Sequence, residues 1–353
     1  MTVRVGIVGC GHIGFIHSYT LHQLMKHGLV DACVTATYDV VPERAATFAL
    51  AHGAVACDNV DAVLDQVDAV WVCTWTAAHH DVVAAAATRG LAIFCEKPLA
   101  PTFPECEAVA QILATVPHQV GLVLRHAPVF QALVDEVTTG RHGRPLAVVF
   151  RDDQYFPVQG VYASEWRADV ARAGGGALFE HSIHDVDVLR WLLGDPTTVR
   201  ADVASRYQHP GIDDVAALTL TFADDTIATL TSVWHQILSR GSTRRVEVFC
   251  DDALVWLDDD HLGPLHVESS DRSEIIEPEA PPWVGELAVP PALTRMVGEY
   301  APATKGFLDA LAAHGTAATG FPDAATALAA HRVVDAAYRS AAAGGEAITP
   351  PPR

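Results

Sequence analysis

The first third of the chain alternates between short apolar runs and stretches with helical spacing. Residues 3–8 (VRVGIV) are β-branched and apolar, and GCGHIG follows them. Ile13, Ile16, Leu21 and Leu24 then recur at roughly helical intervals. Residues 32–38 read as a second strand, and 42–52 as a helix with Pro42 at its start. Strands at 69–74, 91–95 and 119–124 follow, with an Ala-rich helix at 81–89 closed by Gly90. Strands separated by helices predict a doubly wound parallel sheet in an α/β domain.

Past Arg125 the rhythm changes. Strand-like runs at 146–150, 199–207, 215–222, 226–234, 244–249 and 254–257 are interrupted by one helix, 177–193, which stops at Gly194-Asp195-Pro196. LTLTFADDTIATLTSVW predicts a hairpin with Ala223-Asp224-Asp225 at its turn. Consecutive strands without intervening helices predict a mostly antiparallel sheet in an α+β domain. Residues 259–293 are polar and Pro-rich and read as an extended excursion, whereas 305–314 and 323–343 read as Ala-rich helices. The expected division is 1–124 and 125–353, with the C-terminal helices candidates for packing back on the first domain.

Length and composition agree with two packed domains: 353 residues, half of them apolar and 19% charged. The net charge of −20 argues against nucleic acid or an anionic membrane surface as partner. Seven cysteines, an odd number with no C-x-x-C, fit reduced core thiols better than disulfides or zinc. The N-terminal apolar run is too short for a signal segment and no stretch reaches membrane-spanning length, so a cytoplasmic protein is expected.

GCGHIG fits G-x-G-x-x-G between a strand and a helix, the context in which the pattern has a mechanism. Gly9 allows the tight turn, Gly11 lets backbone approach a pyrophosphate, and Gly14 permits close helix–strand packing. His12 and Ile13 lie inside the same turn. Asp39 ends the second strand, where a carboxylate accepts the ribose hydroxyls and repels a 2′-phosphate, favouring NAD over NADP. It could equally cap the helix that follows. Glu96-Lys97-Pro98 closes another strand, and Lys97 there could stabilise an alkoxide that develops during hydride transfer. Residues 174–187, GGGALFEHSIHDVD, gather Glu180, His181, His184, Asp185 and Asp187 behind three glycines. That cluster is compatible with a solvated helix start, a metal site or acid–base chemistry.

GIVGCGHIG, CTWTAAHHDVV, AIFCEKPLA, RHAPVF with GRHGRP, and GGGALFEHSIHDVDVLRWLLG, in that order, resemble the glucose-fructose oxidoreductase/inositol dehydrogenase/MocA family along essentially the whole chain. The resemblance implies an N-terminal Rossmann domain, a C-terminal domain with a large, open, mostly antiparallel sheet, and an NAD(P)-dependent oxidoreductase acting on a hydroxyl or ketone of a sugar, inositol or related glycoside, assembled as a homodimer or homotetramer. It places the family's lysine on Lys97 and its carboxylate–histidine pair on Glu180 and His184. A histidine titrating near neutrality is a natural base for the hydroxyl proton. On a continuous helix Glu180 and His184, four apart, would share a face. Glu180 replaces the commoner Asp, Trp75 stands where proline is frequent, and His181 has no counterpart role. Thr74, Trp75, His79 and Glu96 are further candidate cofactor contacts. Arg125, Tyr155, Trp166, Arg167 and His235 are candidate substrate contacts, with Arg125 alternatively a structural anchor. Metal-assisted cleavage of a sugar derivative and a non-catalytic dinucleotide sensor are the competing readings, and no metal is expected.

Overall fold

The structure, a computed structural model, describes residues 2–260, 263–287, 289–315 and 320–351. The N-terminal elements are β1 (Val3–Val8), α1 (His12–Lys26), β2 (Ala32–Tyr38), α2 (Pro42–His52), β3 (Val55–Ala56), α3 (Val60–Leu64), β4 (Ala69–Val72), α4 (His79–Thr88), β5 (Ala92–Cys95), α5 (Phe103–Leu113) and β6 (His118–Val120). Then come α6 (Pro128–Thr138), β7 (Pro145–Tyr155), α7 (Val170–Ala173), α8 (Ile183–Leu193), β8 (Thr198–Ala204), β9 (Val215–Thr221), β10 (Ile227–His235), β11 (Thr243–Cys250), β12 (Ala253–Leu257), β13 (Leu265–Ser269) and β14 (Ser273–Ile276). Two helices, α9 (Pro291–His314) and α10 (Ala324–Ala342), complete the fold. The chain forms two compact units: Met1–Val123 with Pro281–Leu328, and Leu124–Ala280 with Ala329–Arg353.

The first unit carries a six-stranded parallel sheet ordered β3-β2-β1-β4-β5-β6, with the order reversing beside β1 as in dinucleotide-binding folds. Val8 pairs with both Tyr38 and Val72, and Val72 pairs with Cys95. Strands β1, β2, β4 and β5 therefore end level, and Gly9, Asp39, Cys73 and Glu96 follow along one edge. Trp71, Phe94 and Phe307 fill the core, with Trp71 and Phe94 stacked at 5.5 Å.

The second unit has an eight-stranded sheet ordered β14-β13-β12-β11-β7-β10-β9-β8. Its pairings are antiparallel except β7 with β10. Alternation along β9 to β11 buries Leu218, Leu230 and Val246 on one face.

Several boundaries differ from expectation. The strand expected at 119–124 is only His118–Val120, and a 3-10 turn over Val123–His126 follows. The excursion at 259–293 contains the β13–β14 hairpin. There the alternation of buried Leu265 and Val267 is short and set among prolines and acids. Helix α5 was readable from its capping box, Thr102 with Glu105. The helix expected over 177–193 is a π-helical turn, Ala177–His181, followed by α8.

Candidate active site

In the first unit the glycine turn is pressed onto the sheet. Gly9 has φ of +96°, and a Cβ there would lie 2.5 Å from the Cys73 carbonyl. A Cβ on Gly14 would lie 2.1 Å from the Gly9 oxygen. Gly11 is different, because an added Cβ meets no atom within 4 Å. Gly11 is also the N-cap of α1, with no side-chain cap and no acidic residue in the first turn, where His12 and Ile13 are half-buried. The positive end of the helix dipole therefore faces open space suited to an anion. Asp39 accepts from Cys10 N at 2.7 Å and from Val41 N at 2.8 Å, tying the turn to the end of β2. Burial, reinforced by the Asp39 charge, pushes the Cys10 thiol up to about 12, so it stays neutral.

Lys97 is half-buried at the carboxyl end of β5. The Glu96 carboxylate beside it turns inward rather than toward the strand edge: Oε1 lies 2.8 Å from His17 Nε2, and Oε2 accepts from Lys97 N at 3.2 Å. His79 is likewise buried, with Nδ1 2.9 Å from the Pro98 carbonyl and Nε2 3.2 Å from that of Thr74. Burial pushes the His79 imidazole below its ordinary value. Through Nδ1, the nitrogen nearer a carbonyl, its side chain braces the Lys97-Pro98 turn from α4. Trp75, half-buried, opens the 3-10 turn Thr76–Ala78.

The glycine triplet of the second unit serves close approach. A Cβ on Gly176 would lie 1.8 Å from the Asp213 carbonyl oxygen. The Asp213 side chain accepts from Gly176 N (2.8 Å), Leu178 N (2.9 Å) and Tyr338 Oη (2.6 Å). With these first amides held, Ser182 N reaches back five residues to Ala177 O at 2.9 Å, closing the π turn. Glu180 sits in that turn and His184 in the first turn of α8, both buried. The shared face expected from continuous helical spacing is thus replaced by a π-to-α junction. Glu180 pairs with Arg167 Nη2 at 2.8 Å, and the Arg167 guanidinium lies 4.5 Å from the Trp166 ring centroid.

The remaining predicted residues divide. Arg125, half-buried, is bidentate to the buried Asp187 at 2.7 and 2.8 Å, which is an anchoring geometry. Tyr155 ends β7 with its ring 5.4 Å from that of Tyr162, and its hydroxyl accepts from Val161 N. His235 ends β10 and accepts from Ile237 N through Nδ1. His181 belongs to an internal charge cluster that the sequence did not reveal. Its Nε2 is 3.2 Å from both Asp152 Oδ1 and Arg244 Nη2. Arg244 also binds Asp185 (2.5 Å) and Asp260 (2.8 Å), while Ser182 donates to Asp152 at 2.7 Å. Neighbouring cations hold the Asp152 carboxyl well below the ordinary range against its burial, and burial holds Asp185 well above it. The negative charge of the pair therefore favours Asp152 over Asp185. These partners lie 29 to 63 positions from His181, beyond any local pattern.

Comparison with known proteins agrees with the fold. Residues 3–122 match the model of an oxidoreductase family with an NAD-binding Rossmann fold, and residues 130–255 match the GFO/IDH/MocA C-terminal domain. An inositol 2-dehydrogenase of Rhizobium meliloti is 33% identical over 58% of this chain and 59% of its own length. A myo-inositol dehydrogenase of Streptomyces leeuwenhoekii is 32% identical over 65% of this chain and 69% of its own. The chain spans under two thirds of the length of the first curated relatives it matches. A levoglucosan dehydrogenase solved with NADH and levoglucosan superposes with a TM-score of 0.85 at 22% identity, covering 99% of this chain and 100% of that one, a likeness of fold. The chain belongs to the Gfo/Idh/MocA family of oxidoreductases, whose N-terminal domain is an NAD-binding Rossmann fold.

Proposed function

We propose that the protein is an NAD-dependent dehydrogenase or reductase that moves a hydride to or from a CH–OH carbon of a sugar, cyclitol or related glycoside. The observation that carries this reading is the level edge of the first sheet. An uncapped helix N-terminus with open space at Gly11, the Asp39 carboxylate and Lys97 all follow strands that end in register. The residues fit NAD: the α1 N-terminus with the bare Gly11 backbone suits a pyrophosphate, and Asp39 has acceptor lone pairs beyond its two backbone bonds. When bound, NAD supplies the acceptor for the hydride.

In the oxidising direction His184 takes the hydroxyl proton while the carbon loses its hydride. The Lys97 ammonium stabilises the negative charge that develops on that oxygen. Glu180, held by Arg167, accepts from a neighbouring substrate hydroxyl, and the Trp166 ring offers a face to sugar C–H groups. Tyr155 and His235 are further substrate contacts in this reading. We also assign the protein to the cytoplasm as a homodimer or homotetramer. Ile227 and Phe249, both paired to Ala147 across the outer sheet face, are exposed apolar residues that suit a self-association surface. The test is incubation with NAD and a panel of inositols and aldoses, following the absorbance of reduced nicotinamide. No turnover across the panel with tight NAD binding would favour a sensor instead.

A further inference from the structure

Beneath Lys97 lies a buried imidazole–carboxylate pair that the proposed chemistry does not use. His17, on α1, is fully buried and meets Glu96 Oε1 through Nε2 at 2.8 Å. Its ring is fixed edge-on by Phe94 (4.9 Å) and Tyr300 (5.1 Å). On the other side Glu96 lies against bare backbone: a Cβ on Gly121 would be 2.6 Å from Glu96 Oε1. The second carboxylate oxygen accepts the Lys97 amide. A carboxylate in so dry a place needs a donor, and the imidazole N–H supplies one. The pair thereby fixes the Glu96 rotamer, and with it the peptide that carries Lys97. Across the turn His79 holds the Pro98 carbonyl. The helix that supplies His17 is the one whose N-terminus opens on the glycine turn.

We infer that His17, acting through Glu96, is a positioning residue for Lys97. It sets the lysine backbone relative to the glycine turn by way of α1 and touches neither substrate nor nucleotide. The inference rests on the reading of Lys97 given above.

The full chain is compared with its His17→Leu, His17→Gln, Glu96→Gln and Lys97→Ala variants. His17→Leu removes the donor, whereas His17→Gln can restore an N–H near the Nε2 position. Glu96→Gln keeps an acceptor for His17 and sets an amide NH2 against the Lys97 N–H. Two readouts are taken. One is hydrogen exchange at the Lys97 amide in the protein alone. The other is kcat and NAD affinity with whichever panel compound is turned over. In His17→Leu, Lys97 amide exchange should quicken at least about tenfold and kcat should fall about 10–100-fold, the scale of a misplacement near 1 Å. NAD affinity should stay within about threefold, because neither side chain belongs to the glycine turn and their bond is made to each other. His17→Gln should recover most of both losses. Should His17→Leu fail to fold, Glu96→Gln carries the test, with quickened exchange and lowered kcat expected. Unchanged exchange and kcat in His17→Leu or Glu96→Gln would overturn the inference, as would equal losses in His17→Leu and His17→Gln. Full turnover in Lys97→Ala would instead overturn the reading of Lys97, and the exchange data would still report whether His17 holds that peptide.

Discussion

Asp213 is the buried group on which the geometry of the Glu180 turn depends. Replacing it with Asn keeps one acceptor oxygen, which can still serve Gly176 N and the Tyr338 hydroxyl. The new NH2 group then faces Leu178 N–H across 2.9 Å, donor against donor. The change loses one hydrogen bond to a charged acceptor and leaves a buried amide unsatisfied, together about 2–4 kcal/mol. Tyr338→Phe removes a single donor and leaves the carboxylate its two amides, so about 1–2 kcal/mol is expected. Urea unfolding followed by tryptophan fluorescence measures both, because Trp166 and Trp234 pack in the cluster that contains Ala177. Asp213→Asn should also lower kcat by about tenfold or more by releasing the turn that holds Glu180. An Asp213→Asn protein as stable as the parent within about 0.5 kcal/mol would refute the claim that this carboxylate sets the π turn.

Other consequences concern the glycine turn, the charge cluster and the Arg167 pair. Gly11→Ala should melt like the parent yet bind NAD at least about tenfold more weakly, since its methyl enters only the open cradle; Gly14→Ala, meeting the Gly9 oxygen, should lose about 2–3 kcal/mol by urea denaturation. Asp152→Asn should cost about 1–3 kcal/mol more than Asp185→Asn by urea denaturation, because burial already disfavours charge on Asp185, whereas Asp152 accepts from Ser182 and faces His181 and Arg244. The two acids also act at opposite ends of the pH range. Asp152, depressed on folding, stabilises above the ordinary carboxylate range, and this is lost as pH falls through its lowered value. Asp185, raised on folding, contributes stability below that range and loses it as pH rises through its elevated value, so Asp185→Asn should flatten the fall of melting temperature with pH above the ordinary carboxylate range. Arg167→Met should lower kcat/KM about 10–100-fold, measured by initial rates, because Glu180 loses its 2.8 Å cation.

Five strands of the first sheet were legible because each is a short apolar run cut by glycine, proline or a cap, and these signals are local; β3, only two residues long, offered no such run. Residues that follow those strands, Gly9, Asp39, Thr74 and Lys97, inherit their positions from the same pattern. What the sequence concealed is mostly long-range. Asp213 reaches Gly176 from 37 positions away, and Arg244 reaches Asp185 from 59. No spacing rule announces either contact, yet they decide the helical form over 177–181 and the place of His181. Glu96 looked like a crevice residue because it precedes Lys97; alternation along the strand sends its side chain to the interior instead. His17 carried a weak signal, an imidazole on the inward side of an amphipathic helix. The short β13 and β14 strands were masked by flanking prolines and carboxylates.

The central claim is that Lys97 and His184 carry hydride-transfer chemistry on this chain. The direct measurement is NAD reduction with a substrate found in the panel, run on the parent, Lys97→Ala and His184→Ala, beside calorimetric titration of NAD. Turnover should fall by a factor of about 100 or more in each variant, with NAD affinity kept within about threefold. Either variant turning over at the parent rate would contradict it.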